Sequence, residues 1–192
     1  MAVSTHGLTP ELAAAVAEAF RESDVAATAI VGLDLAVGSQ LGALPQAEWN
    51  GLIATLRAAF FVLQAEAQAL VERADGGCLL VVVPAHALRT SRGCGLAAVG
   101  GSFFITVAQV AAAELGPHGI RVNVVAYGPL DGSVPSRVAE AVPLGRLTRP
   151  ADVAATCLLL AGPGAGHVTG AVVPVDGGYA ITKAGGGSPF VH

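Results

Sequence analysis

Apolar residues follow two periods along this chain, and the two periods alternate. Residues 27–31, 78–83 and 119–125 form almost unbroken apolar runs rich in β-branched side chains, which is typical of strands buried in a parallel sheet. A shorter run of the same kind covers Val172–Val175. The pattern therefore predicts at least four strands, separated by segments of helical period.

Helical spacing predicts four helices. The first begins at Thr9-Pro10-Glu11, where a capping hydroxyl, a proline at the first helical position and an acid in the first turn coincide. Segments 45–70 and 103–115 are apolar on two sides, so we expect both helices to be covered on two sides. A fourth helix covers 150–160. Helices that alternate with strands predict an α/β fold with a mainly parallel sheet.

Composition narrows the class of protein. Of the 192 residues 53% are hydrophobic and only 12% are charged, which excludes a disordered chain. The net charge of −4 argues against nucleic acid as a partner. We find no uninterrupted apolar run of the roughly 18 residues that a membrane-spanning helix needs. A chain with so few charges is expected to hide apolar surface between subunits, so we expect an oligomer.

The cysteines, the histidines and the two termini give less information about the class of protein than the composition does. Cys78, Cys94 and Cys157 have no metal-type spacing and are expected to be buried thiols of a reducing compartment. The five histidines never pair at a ligand spacing, so we expect no metal. No export signal is recognisable, and the predicted location is cytoplasmic. Residues 1–183 are expected to form one domain, with 184–192 as a flexible glycine-rich tail.

Three ordered motifs resemble the short-chain dehydrogenase/reductase (SDR) family. They are GPHGIRVNVVA over 116–126, PLGRLTRPADVA over 143–154, and VTG followed by VDGGY over 168–170 and 175–179. Trp49 and the helix after it also fit the family. The resemblance covers roughly residues 45 to 182. It implies a Rossmann-like three-layer sandwich, here truncated.

The resemblance also points to chemistry that is missing. The family places Tyr and Lys four residues apart on one helix, where they transfer a proton while hydride moves to or from a nicotinamide. An alignment on residues 95–98 puts Val99 and Phe103 at these two positions. The family's serine falls near Pro84, and its helix asparagine falls near Thr55. We therefore expect these four to be positions of lost catalytic residues.

The nucleotide-binding part is also reduced. The turn over 4–10 has a single glycine and a proline where the family has a glycine-rich phosphate turn. The interval from there to Trp49 is too short for three strands and three helices. We expect that one or two βα units are deleted, that NAD(P) is not bound and that no other cofactor is used. The helix after Thr9 could correspond to the first or to the third family helix.

Polar residues near the predicted strand ends offer few alternatives. His86 follows the strand that ends at residue 83, and Tyr127 follows the strand that ends at residue 125, where parallel sheets place their binding crevices. Either could be an acid or base, although a loop histidine and a crevice-filling tyrosine are the simpler interpretations.

Two stripes on the helix over 103–115 concern assembly. Val99, Phe103, Val107 and Val110 recur on one side, and Phe104, Ala108, Ala111 and Leu115 on another. One side must meet the sheet, and the other resembles the surface through which family members pair their helices. The first hypothesis is a non-catalytic subunit, in a homo- or hetero-oligomer, that assembles with an active SDR paralogue. The alternatives are a cofactor-independent isomerase, dehydratase or cyclase, or a protein that binds a small apolar molecule in the vacated crevice.

Overall fold

The computed structural model describes residues 3–21, 23, 25, 28–35 and 40–182. The predicted tail 184–192 lies outside these residues. Five described strands form a parallel sheet in the order β1-β2-β3-β4-β5. They are β1 (Val3–His6), β2 (Thr28–Gly32), β3 (Gly77–Pro84), β4 (Ile120–Tyr127) and β5 (Val172–Val175). Four helices flank the sheet: α1 (Pro10–Phe20), α2 (Gln46–Arg73), α3 (Gly95–Leu115) and α4 (Pro150–Ala161). The expected α/β sandwich is confirmed.

The sheet separates two apolar cores. Alternate side chains of β3 enter opposite cores, because successive residues of a strand point to opposite faces. On one face Leu79 and Val81 pack with residues of α2 and α3, such as Leu56 and Phe104. On the other face Leu80 and Val82 pack with residues of α1 and α4, including Leu12, Val16 and Val153. This arrangement buries both sides of β3, which explains its unbroken apolar sequence.

The strand order settles which part of the family fold the N-terminal unit represents. A doubly wound sheet has the order 3-2-1-4-5-6, with the helix after strand 1 on the face opposite the helices after strands 4 and 5. Here β1 lies beside β2, and α1 lies on the face opposite α2 and α3. We conclude that β1 corresponds to the first strand and that α1 lies on the face of the first helix, which excludes the third helix. The missing strands are those that would continue the sheet beyond β1.

Shortening the sheet changes the handedness of a connection. The β1-α1-β2 and β2-α2-β3 connections step in the same direction across the sheet, but their helices lie on opposite faces. Because the step direction is the same and the helices lie on opposite faces, one of the two connections is right-handed and the other is left-handed. About 98% of parallel crossovers are right-handed, so one of these two belongs to the rare class. In a sheet that had kept the missing strands, the helix before β2 would lie on the same face as α2. All connections could then be right-handed.

The family motifs have structural explanations in this fold. The Asn123 side chain donates to the Val168 carbonyl at 2.9 Å and accepts from the Ala171 amide at 3.1 Å, which ties β4 to the segment before β5. The Asp176 carboxylate accepts from the amides of Gly178 and Ala180 at 2.8 and 2.7 Å and closes the turn after β5. Polar groups buried this deeply need such partners.

Two sequence-based expectations require correction. Helix α3 begins at Gly95, eight residues before the predicted start, because Gly100 and Gly101 sit in close contacts with neighbouring elements and stay helical. The stretch Gly95–His118 is long and apolar enough to cross a membrane, contrary to the expectation that no such run exists. Half of this stretch is buried within the fold, which is the behaviour of a helix that covers a sheet.

Candidate functional site

A crevice lies at the carboxyl ends of β2, β3 and β4, where parallel sheets bind ligands. Its volume is about 270 Å³. Pro84 and Tyr127, the last residues of β3 and β4, line it, and so do Ala85 and His86 after β3 and Gly128 to Leu130 after β4. Asp34 lines the side that faces β2, and Ser133 lies farther along the chain. The structure therefore brings the two polar candidates, His86 and Tyr127, to one cavity.

His86 lies in the short 3₁₀ turn Ala85–Ala87, directly after β3. Its Nε2 atom is 3.7 Å from the Cys94 sulfur. The Nδ1 atom is buried and makes no hydrogen bond. Burial lowers the pKa of His86 below its usual 6.5, an effect that the backbone of Arg89 opposes in part. A neutral imidazole with one free nitrogen can accept or donate one hydrogen bond to a ligand.

Tyr127 ends β4 and is held within the crevice. Its hydroxyl lies at the long distance of 3.5 Å from the Leu33 carbonyl, to which it can donate. Burial raises the pKa of Tyr127 to about 12, and the charge of Asp34 adds to the effect. Near neutral pH the phenol is therefore protonated, so it can donate a hydrogen bond but is a poor base.

The C-terminal turn Tyr179–Ile181 covers the crevice from one side, which the sequence did not predict. Tyr179 lines the cavity and meets the His86 ring edge-on, with 6.4 Å between ring centroids. The Arg89 guanidinium lies 4.7 Å from the Tyr179 ring centroid and donates to the Tyr179 carbonyl and the Thr182 hydroxyl. Arg89 thereby anchors the turn over the crevice.

Val99 and Phe103 do not face this crevice. They are 46% and 41% exposed. At 100° per residue both lie about 160° around the helix from Gly101, which packs against Ala87 of the turn after β3. Two other residues of α3 that are four positions apart face inwards. They are Ala97 and Gly101, and Ala97 is fully buried. The sequence-based assignment of the lost Tyr and Lys positions was therefore wrong. It placed both positions two residues too far along α3, on the exposed face of the helix.

Of the other two assigned positions, Pro84 lies at the crevice and Thr55 does not. Pro84, which the sequence comparison places nearest the family's serine, lines the crevice. Thr55 is exposed on α2 and lies outside the crevice lining. The next residue, Leu56, is the one that points towards α3, since its Cδ2 would be 3.3 Å from a Cβ placed on Gly100. At these inward positions Leu56, Pro84, Ala97 and Gly101 carry no group that transfers a proton.

The outer surface of α2 and α3 is unusually apolar for exposed helices. Phe103 and Val110 on α3 are 41% and 51% exposed, and Ile53 and Phe61 on α2 are 47% and 54% exposed. Val99 extends the stripe on α3, and Trp49 lies at the start of α2. We call these six residues the outer stripe.

A larger open cavity of about 650 Å³ lies elsewhere, between α4 and the turn after β5. Its charged residues are Arg146, Asp152 and Asp176, and their side chains are already engaged. The Arg146 guanidinium lies 2.5 Å from the Asp152 carboxylate and lowers the pKa of that carboxyl. The Asp176 carboxylate accepts a hydrogen bond from the Gly178 amide in its own turn. The smaller crevice, which holds His86 and Tyr127, is the better candidate site. Among the described residues, no group of three or more His, Cys, Asp and Glu side chains could hold a metal ion.

Comparison with known proteins identifies the class. The model of a family described as enoyl-(acyl carrier protein) reductase matches residues 2–180. Human (3R)-3-hydroxyacyl-CoA dehydrogenase is 36% identical over 140 residues, which cover 68% of this chain and 54% of the relative. L-rhamnose 1-dehydrogenase (NAD(P)(+)) of Azotobacter vinelandii is 33% identical over 146 residues, which cover 66% and 53%. The chain belongs to the short-chain dehydrogenase/reductase family, whose members are typically dehydrogenases and reductases.

Solved structures agree with the fold. The crystal structure of acetoin dehydrogenase YohF from Salmonella typhimurium superimposes with a TM-score of 0.75 at 20% identity, over 92% of this chain and 73% of that one. A short-chain type dehydrogenase/reductase from Mycobacterium ulcerans gives 0.73 at 25% identity, over 90% and 67%. The chain spans about half the length of the curated relatives it matches.

The expectation that no cofactor is used is wrong in the light of these relatives. They are dehydrogenases, and the Azotobacter protein is named for NAD(P)(+). Family membership therefore points to a nicotinamide cofactor. The sequence argument failed because the side chains lost at the catalytic positions concern proton transfer, and their loss does not exclude binding of a nucleotide.

The residues present fit the nicotinamide end of such a cofactor better than its phosphates. The strand-end crevice has room for a small ring. In the turn from β1 to α1, however, Gly7 at φ +63° packs directly against the Gly32 carbonyl. Pro10 has no N–H to offer a phosphate, and the Thr9 hydroxyl already accepts from the Leu12 amide at 3.4 Å. The described residues thus fit the nicotinamide end but not the phosphates.

Proposed function

We propose that this chain is a non-catalytic SDR subunit that assembles with an active SDR partner through the outer stripe. The observation that carries the proposal is the exposure of these six large apolar side chains on two adjacent helices. Large apolar side chains exposed together on neighbouring helices are typical of a subunit interface in soluble proteins. The low charge content of 12% supports the same conclusion.

The inner side of α3 supports a non-catalytic role. Proton transfer in a dehydrogenase needs a group with a titratable or hydroxyl proton within hydrogen-bonding reach of the substrate. Ala97 and Gly101 supply none, and Pro84 lacks the hydroxyl that the family's serine has there. In the proposed assembly the partner carries the complete Tyr and Lys pair and performs the nicotinamide-dependent reaction. This chain contributes the helices that the partner packs against.

The assembly is tested by co-expressing the chain with a full-length active SDR of the same organism and measuring native mass. We expect a stable complex. Val110→Glu should break it, because a buried carboxylate without a partner is strongly unfavourable. Leu159→Glu is the matched control, since Leu159 is 67% exposed on α4, on the opposite face of the sheet.

Two results would contradict the proposal. One is that the two chains never co-elute and that the activity of the full-length protein is unaffected. The other is that Val110→Glu leaves the complex intact while Leu159→Glu dissolves it, which would move the interface to α4. A pure homodimer that Val110→Glu splits would keep the interface but replace the partner by a second copy.

The crevice supports a second candidate function, the binding of a small molecule that includes a planar ring. The observation that favours it is the unpaired Nδ1 of His86, a residue that lines the same cavity as Tyr127 with its protonated hydroxyl. The nicotinamide end of the family's cofactor is one such molecule. Titration with NADH and NADPH, followed by cofactor fluorescence, should show binding that His86→Asn and Tyr127→Phe weaken. Unchanged fluorescence, together with a native mass free of any retained ligand, would reject this candidate.

A further inference from the structure

We propose that residues 177–182 form a strap that opens and closes the crevice at the carboxyl ends of β2, β3 and β4, and that Arg89 holds this strap closed. The strap contains the turn Tyr179–Ile181. The biological use of such a strap rests on the second candidate function, but the proposal does not depend on the identity of a ligand. Three observations support it: a contact with the crevice wall, a small number of anchoring contacts, and a pair of glycines at the base of the strap.

The strap forms one wall of the crevice in the structure. Tyr179 lines the same cavity as His86 and Tyr127, and its ring meets the His86 ring edge-on, with 6.4 Å between the ring centroids. His86 is half-buried, and its Nδ1 atom is buried without a hydrogen bond. An unpaired buried nitrogen costs free energy, because it has lost water and gained no partner. Movement of Tyr179 away from His86 widens the crevice and admits water, which can pair with this nitrogen.

Polar contacts, rather than apolar packing, hold the strap in place. None of the residues of the turn is buried, and Ile181 is 88% exposed. Arg89 donates to the Tyr179 carbonyl at 2.5 Å and to the Thr182 hydroxyl at 3.1 Å, and its guanidinium lies 4.7 Å from the Tyr179 ring centroid. The Thr182 hydroxyl also donates to the Ala141 carbonyl at 3.2 Å. A segment that buries so little apolar surface can open locally while the rest of the protein stays folded.

Two consecutive glycines form the base of the strap. Gly177 and Gly178 have φ values of +60° and +90°, in the left-handed region that glycine adopts readily. The residue before them, Asp176, is 5% exposed, and its carboxylate accepts from the amides of Gly178 and Ala180. The fixed end of the strap is therefore at Asp176, and rotation of the backbone directly after Gly178 opens it. This rotation breaks the hydrogen bond to Ala180 and the contacts with Arg89, and it leaves β5 unchanged.

Arg89 supports the strap from a distant part of the chain. It lies shortly after the 3₁₀ turn Ala85–Ala87 that follows β3, 90 positions before Tyr179. Its guanidinium is always charged, and hydrogen bonds from a charged donor are stronger than those between neutral groups. Removal of the guanidinium takes away two hydrogen bonds and the ring contact together. Substitution of Arg89 should therefore increase the fraction of molecules with an open strap and leave the sheet intact.

The test measures access to His86 in the full chain without any ligand. The probe is diethyl pyrocarbonate, a small reagent that modifies neutral imidazole rings, and peptide mass mapping gives the modification rate of each histidine. His118 is exposed and serves as the internal reference. In the wild type we expect His86 to react at least roughly tenfold more slowly than His118, since the reagent reaches it only when the strap opens. Arg89→Ala should speed the modification of His86 by roughly tenfold, because the hydrogen bonds of a charged group are lost.

Control variants separate the strap from general loosening. Arg92→Ala removes an exposed arginine three positions further along the same loop and should leave the His86 rate unchanged. Arg89→Lys keeps the charge but not the forked donor geometry, so its rate should lie between those of the wild type and Arg89→Ala. Within the strap, Tyr179→Ala should speed the modification of His86, whereas Ile181→Ala should not.

Urea distinguishes opening of the strap from global unfolding. Below the unfolding transition, the wild-type His86 rate should be nearly independent of urea, because opening the strap exposes little surface. A rate that rises with urea in parallel with global unfolding would contradict the proposal.

Two further results would overturn it. One is a wild-type His86 that reacts as fast as His118, since the crevice would then have no closed state. The other is a folded Arg89→Ala variant in which His86 reacts at the wild-type rate. If Arg89→Ala does not fold, Arg89→Lys and Tyr179→Ala carry the same comparison. Absence of NADH binding would contradict the second candidate function alone, because none of these rates involves a ligand.

Discussion

The two sides of α3 have similar apolar sequences and opposite surroundings. On the inner side Ala97, Gly101 and Phe104 are buried. On the outer side Val99 and Phe103 are 46% and 41% exposed. Hydrophobicity alone does not distinguish the two sides, and the sequence-based assignment of Val99 and Phe103 to the catalytic positions shows the consequence. The two residues that were assigned to lost chemistry belong to the outer stripe.

The inner side differs from the outer side in side-chain size as well as exposure. A Cβ on Gly101 would lie 2.6 Å from the Cβ of Ala87, so the helix approaches the turn after β3 more closely than a larger side chain allows. The contact leaves no space for a side chain at Gly101 unless the turn shifts. Ala97 and Gly101 on the inner side therefore allow close packing, whereas Val99 and Phe103 on the outer side are exposed.

The largest effect should come from shortening neighbouring phenylalanines on opposite sides. Phe104 is fully buried and Phe103 is 41% exposed. We expect Phe104→Ala to lower the free energy of unfolding by about 3–5 kcal/mol, because a cavity forms in the core. Phe103→Ala should lower it by less than about 1 kcal/mol. Urea unfolding of the two variants measures both. Equal losses would show that the helix is rotated differently.

A smaller effect is expected from adding one methyl group to a glycine. Gly101→Ala should lower the free energy of unfolding by about 1–3 kcal/mol, since the new methyl group overlaps Ala87. Gly51 lies in α2 with open space around it, so Gly51→Ala should raise stability by about 0.5–1 kcal/mol. Thermal unfolding reports both signs. A stabilising Gly101→Ala would contradict the close approach of α3 and the turn.

The smallest effect concerns the pH dependence of stability on the inner side. Burial holds the pKa of His86 below the value of 6.5 that it has in the unfolded chain. The folded protein therefore binds fewer protons, and the contribution of His86 to stability is complete above pH 6.5 and is lost as the pH falls below it. His86→Asn should lose less stability than the wild type between pH 7.5 and pH 5.

The control for this pH series is His118→Asn, which removes an exposed histidine instead. Chemical unfolding at each pH gives the two slopes. If the His86 and His118 variants follow the wild type in parallel, the His86 ring is as well solvated in the folded protein as in the unfolded chain. That result would also weaken the case for a neutral imidazole in the crevice.

Much of the fold could be predicted, and the errors have identifiable causes. The continuous runs of β3 and β4 and the capped start of α1 mark their elements by local pattern. β1 was not predicted, since its four residues carry no pattern strong enough to stand out. The start of α3 was missed because the Gly100-Gly101 pair normally weakens a helix, and only the contacts with Leu35 and Ala87 explain why it is helical here.

The candidate site was less predictable than the fold. The sequence identified His86 and Tyr127 by their places after two strands, and the structure brings them to one crevice. Arg89 and the turn at Tyr179 that it anchors were missed, because the two residues are 90 positions apart. No local signal connects residues at that separation.

By itself the sequence determined the class of fold and the family. Strand and helix periods are local properties, and motifs such as the one around Asn123 describe contacts that any member of this fold must make. Only the tertiary structure decided which side of α3 is buried, which strands are missing and which cysteine has a histidine beside it. These depend on rotations of a few tens of degrees and on contacts between distant segments, which a one-dimensional pattern does not record.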